Sequence, residues 1–126
     1  MIKKIYTPNA PEAIGPYSQA MQFNELLFTS GQIPVDPATG EVVSGDITAQ
    51  AEQVMKNLGA VLSEAGTDFS SVIKTTCFLD NMDDFAAFNA VYGSYFTGKP
   101  ARSCVAVKSL PKNVLCEVEV IAVVAK

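Results

Sequence analysis

PARSCVAV, residues 100–107, and VLCEVEVIAVV, residues 114–124, are two runs of small, apolar and β-branched residues separated by the short segment KSLPKN. Both read as strands. Their closeness in sequence predicts a hairpin, with the second strand lying beside the first. The first run also holds the chain's single arginine, Arg102; the other cations are all lysines. A guanidinium placed in such a run must reach water, pair with an acid or face a cavity.

Upstream of this pair, Phe85, Phe88, Tyr92, Tyr95 and Phe96 recur at helical spacing. They predict a helix whose aromatic stripe packs into the core. Asp83 and Asp84 suit its N-terminus. Before it, VIKTTCFL (72–79) is a β-branched strand. Before that, Ala51, Val54, Met55, Leu58, Val61, Leu62 and Ala65 mark the clearest helix, capped by Asp46 or Thr48 and stopped at Gly66. The first forty-odd residues read as extended. KKIYT is a strand and NAPEAIGP a loop. YSQAMQF and LLFTSG form a hairpin through Asn24-Glu25, and PVDPATGEVV is a loop with turn chemistry. The predicted order is β-β-β-α-β-α-β-β: an α+β fold with both helices on one face of a mixed sheet.

At 126 residues the chain is predicted to form one domain, 1–126. An apolar content of 48% predicts surface buried between subunits. A net charge of −4 with no basic face argues against a nucleic-acid partner. The N-terminus lacks the apolar core of a secretory signal, and no apolar run is long enough to span a membrane. A cytoplasmic protein is expected. Cys77, Cys104 and Cys116 are odd in number and form no CxxC pair. They predict buried thiols rather than zinc ligands or disulfides. The chain has no histidine, which removes Ser-His-Asp and Cys-His chemistry and the usual transition-metal sites. Carboxylate, phenol, hydroxyl, thiol, amine and guanidinium groups remain.

Strand alternation puts Arg102, Cys104 and Ala106 on one face. Two readings stand for Arg102: a strand-edge charge or salt bridge, and a fork that grips a substrate carboxylate. Glu117 and Glu119 share a face with Ile121 and Val123. They either face solvent or line a pocket with Arg102, one of them positioning a water. Tyr17 after the rigid IGP, Ser30 at a strand end and Asn89 on the second helix are weaker candidates, each with a structural alternative.

Taken in order, AIGPYSQA, TSGQIP, VIKTTCFL, FNAVYGSYF, PARSCVAV and LCEVEVIAVV resemble the reactive intermediate deaminase A family (RidA, also labelled YjgF) over essentially the whole chain. The resemblance implies a chorismate-mutase-like fold and a homotrimer with clefts between subunits. It implies a cofactor-free hydrolysis of small enamines and 2-imino acids, such as 2-iminobutanoate and 2-iminopropanoate, to 2-oxo acids and ammonia. By position, Arg102 resembles the carboxylate-binding arginine and Glu117 the acid beside the catalytic water. Tyr17, Ser30, Asn89 and Cys104 resemble other pocket residues, with Cys104 contributing backbone groups rather than a nucleophile. The YFTGKPARS segment is compact where some relatives are longer, which bears on the cleft. The competing readings are RNA cleavage or translation inhibition, and a non-catalytic ligand-binding or chaperone-like trimer. Only the deaminase requires both Arg102 and Glu117.

Overall fold

The computed structural model describes residues 1–124; the last two residues of the predicted domain lie outside them. Strands β1 (Ile2–Ile5), β2 (Ala20–Phe23) and β3 (Leu26–Thr29) lead into a small ladder of β4 (Val35–Asp36) and β5 (Glu41–Val42). Helix α1 (Ile47–Glu64), strand β6 (Val72–Leu79), helix α2 (Phe85–Tyr95) and strands β7 (Ala101–Ala106) and β8 (Cys116–Val123) follow. The six long strands form one mixed sheet in the order β1-β2-β3-β8-β6-β7. This is the expected α+β architecture, with one addition. The predicted loop at 34–43 folds back on itself, because Asp36 accepts from the Gly40 N–H at 2.8 Å and Gly40 takes a positive φ of 75°.

Both helices pack on the same sheet face. Val54, Met55, Leu58, Val61 and Leu62 of α1 and Phe88 of α2 are buried there against Leu27, Cys77, Leu79, Val118 and Val120. Asp46 caps α1 by accepting from the Ala49 N–H at 3.1 Å, and Gly66 follows its end at φ 83°. Asn24 makes the tight β2–β3 turn at φ 52°.

Two expectations need correction. The strand read from YSQAMQF begins only at Ala20, because Gln19 spends its side chain on the preceding loop. More important, β7 and β8 are not neighbours. Strand β6 lies between them, pairing parallel with β7 and antiparallel with β8. The helical crossover through α2 returns β7 parallel to β6 on one edge, as βαβ geometry requires. The segment after β7 then arches over the end of β6. The Val107 N–H donates to the Leu79 carbonyl, and the Asp80 N–H to the Leu115 carbonyl.

Candidate functional site

This strand order separates the two groups that the hairpin reading would have joined. On β6, Thr75 is the register partner of Arg102 and Phe78 that of Glu117. Thr75 and Phe78 are three residues apart, so their side chains leave opposite faces of the sheet. Arg102 lies on the helix-covered face, near its open end. Glu117 lies on the bare face.

The Arg102 half is built by β7 and α2. The guanidinium donates from Nη1 to Asn89 Oδ1 at 2.7 Å. Its carbon lies 4.6 Å from the ring centre of Tyr92 and 5.5 Å from that of Phe85. An amide and two aromatic faces therefore cradle the cation, and no carboxylate pairs with it among the described residues. Tyr92 is fixed in turn by a 2.7 Å hydrogen bond between its hydroxyl and Thr75 Oγ1. An open cavity of about 450 Å³ borders Arg102, Asn89, Tyr92 and Lys99. Sequence reasoning assigned Tyr92 and Phe85 to the core alone. Their second use is invisible without knowing that β7 lies beside the helix.

Cys104 is half-buried and directly opposite Cys77 on β6. Burial raises its thiol pKa, and Arg102 opposes that only in part. Burial pushes the thiols of Cys77 and Cys116 up to about 12. None is a thiolate at neutral pH, in line with packing roles.

The Glu117 half is built by β8 and two loops. An open cavity of about 400 Å³ brings Glu117 together with Tyr17, Ser30, Gly31 and Glu119, walled by Ile14, Ile33 and Pro111. Glu117 is half-buried, and its carboxyl pKa is raised first by burial and then by the charge of Glu119. The segment after β3 runs beside β8 because Gln32 and Val118 exchange both backbone hydrogen bonds, at 2.8 and 3.1 Å. That brings Gly31 against the carboxylate: a Cβ on Gly31 would sit 1.9 Å from Glu117 Oε2. The glycine lets the carboxylate lie directly against the backbone, where a Cβ would displace it. Its signal in the sequence was the SGQ tripeptide, too short to carry the inference alone. Tyr17 is exposed, and its hydroxyl accepts from the Ile14 N–H at 3.2 Å, leaving its own proton to donate. Ser30 donates to the Ser18 carbonyl at 2.6 Å, keeping its lone pairs available.

The predicted residues thus fall into two sets: Arg102, Asn89 and Cys104 on one side, Glu117, Tyr17 and Ser30 on the other. Among the described residues, no group of three or more Cys, Asp or Glu is placed to hold a metal ion. No helix is long and apolar enough to cross a membrane.

The sequence model of the family described as endoribonuclease L-PSP matches residues 7–124. A RutC family protein of Pyrococcus horikoshii is 53% identical over 123 residues, covering 97% of this chain and 98% of that one. A 2-iminobutanoate/2-iminopropanoate deaminase of Mus musculus is 47% identical over 122 residues, covering 96% and 90%. Among solved structures, E. coli TdcF with bound serine superposes with a TM-score of 0.92 at 44% identity, covering 98% of this chain and 99% of that one.

Proposed function

The chain belongs to the endoribonuclease L-PSP family, and from that premise we propose that it hydrolyses small 2-imino acids to 2-oxo acids and ammonia. One observation carries this reading: a guanidinium with no acid partner among the described residues, presented at a cavity on an amide and two aromatic rings. Such a group is arranged to take a carboxylate from solution through two parallel N–H donors. The mouse relative named as an imine deaminase and the TdcF structure named with bound serine fit a small substrate of this kind.

The second half supplies the base. Arg102 holds the substrate carboxylate and so fixes the neighbouring imine carbon. Glu117 accepts a proton from a water as the water oxygen bonds to that carbon. The nitrogen takes up that proton and then the one the new hydroxyl gives up, so that the carbonyl forms as the C–N bond breaks and ammonia leaves a 2-oxo acid. The raised pKa of Glu117 brings it nearer to working pH, where a general base is most effective. Ile14, Ile33 and Pro111 suit a short aliphatic side chain.

Arg102 and Glu117 lie on opposite sheet faces, so the complete site would form between copies. One copy would offer its Arg102 half to the Glu117 half of the next. A head-to-tail contact gives a ring when the rotation between copies closes, and we propose that it closes here as the homotrimer that the family resemblance implies. The bare sheet face supports this. It exposes Met21, Phe23, Phe28, Val105 and Val123, an apolar surface that association would cover.

The test is the lag in 2-oxobutanoate formation when threonine dehydratase acts on threonine in amine-free buffer. Native protein is expected to shorten the lag, and folded Arg102→Ala of native size is expected not to. Equal acceleration by both would make Arg102 structural. No acceleration by either would overturn the deaminase reading and return attention to RNA cleavage, which would then need to show salt-dependent binding.

A further inference from the structure

Six polar side chains are buried among the described residues; four are carboxamides, and the side chains of three of these, Gln19, Gln50 and Asn57, hold segments distant in sequence. Gln19 donates from Nε2 to the carbonyls of Thr7 and Pro11 at 3.0 and 2.9 Å, and accepts from the Thr7 N–H at 2.7 Å. This pins the loop that leads to Ile14 and Tyr17. Asn57, fully buried on α1, gives both N–H bonds of its amide to the carbonyls of Ile33 and Val35, each at 2.9 Å. Its own oxygen is oriented by Gln53 Nε2 at 2.9 Å. Gln50 accepts from the Leu115 N–H at 2.8 Å, two residues before Glu117 and just after Pro111 and Lys112.

The three pinned segments share a destination. They supply the walls around Glu117: Ile14 and Tyr17 from the first, Gly31 and Ile33 from the second, Pro111 from the third. A buried amide costs desolvation that an apolar side chain avoids, so its return is a fixed position rather than net burial energy. The required tolerance is tight, because the Gly31 backbone leaves no room for even one carbon beside the carboxylate.

We propose that Gln19, Gln50 and Asn57 are positioning residues, neutral clamps that set three loops around Glu117 and so fix the base and its water. The proposal rests on the reading of Glu117 as the base, but its first test needs no substrate. The carboxyl of Glu117 is followed by carbon-13 NMR through a pH titration in native protein and in Asn57→Leu. Glu119 and Tyr17 line the same cavity, Glu12 and Lys112 the adjoining one, Lys74 on the same sheet face is turned to Ser103, and in the proposed assembly Arg102 of the next copy faces the carboxylate. None of these is altered in the variant. Burial is the first cause of the raised Glu117 pKa. Loosening the Ile33–Val35 wall therefore admits water and moves the midpoint down toward the ordinary glutamate range.

The kinetic arm expects kcat for imine hydrolysis to fall about 100-fold with KM nearly unchanged, because the Arg102 half is untouched. Circular dichroism and sedimentation establish that the variant keeps its fold and size. If Asn57→Leu does not fold, Gln53→Ala, at a half-buried helix position, frees the same amide and is expected to move the midpoint in the same direction. A folded variant with an unmoved Glu117 midpoint overturns the proposal. Native protein without imine hydrolysis would overturn the proposed function instead, and the titration would still decide the clamps.

Discussion

At the scale of single residues, Arg102 and Glu117 have separable signatures. Arg102→Lys keeps the charge but loses the planar fork and its stacking on Tyr92 and Phe85. Steady-state kinetics should show kcat/KM falling about 10–100-fold, mostly through KM. Glu117→Gln should lower kcat by about 10²–10⁴-fold. It should also stabilise the fold at neutral pH. The folded pKa of Glu117 is raised, so the stability linked to its proton is complete below the unfolded pKa and is lost as pH rises through the folded value. The glutamine never ionises. Thermal melts should therefore show the variant's gain above the ordinary carboxylate range and none below it. Alternation along each strand gave the correct face for Arg102 and for Glu117 within its own strand. The relation between the strands was not legible, because pairing is a long-range choice that no local pattern encodes.

At the scale of elements, Gly31→Ala asks whether the turn after β3 sets the carboxylate. The nearest obstacle to the new Cβ is the flexible Glu117 side chain rather than backbone. The expected outcome is a folded protein with kcat lowered about 100-fold. By contrast, Asp46→Ala should cost about 1 kcal/mol of stability, read from denaturant melts, with activity of the folded fraction intact. Helix α1 was legible to its cap, since seven apolar residues at helical spacing leave little choice. The buried amides were not. Asn57 follows Lys56 and Gln19 follows Ser18, so both read as ordinary solvated polar positions. The expected β7–β8 hairpin failed for a related reason. A short connection suggests a hairpin only when no third strand is available to lie between, and VIKTTCFL was that strand.

At the scale of the whole molecule, a site made from two copies predicts complementation. Arg102→Ala and Glu117→Gln assemblies should each be inactive alone. Dissociated, mixed equally and reassembled, they should regain about a quarter of native activity, since a competent cleft needs the intact half from each of two neighbours. Separate sites within each copy would give none. Phe28→Asp on the bare sheet face should lower the sedimentation coefficient and the activity together. The order of the sheet carries one more consequence. Strand β8 joins β3 to β6, pairing Leu26 with Val123 and Leu79 with Cys116, yet it is synthesised after both. While the chain is still emerging from the ribosome, the β1-β2-β3 meander and the helical half have no seam between them, and both edges stay open. Closure of the sheet therefore waits for β8, the last of its six strands to emerge, rather than proceeding strand by strand.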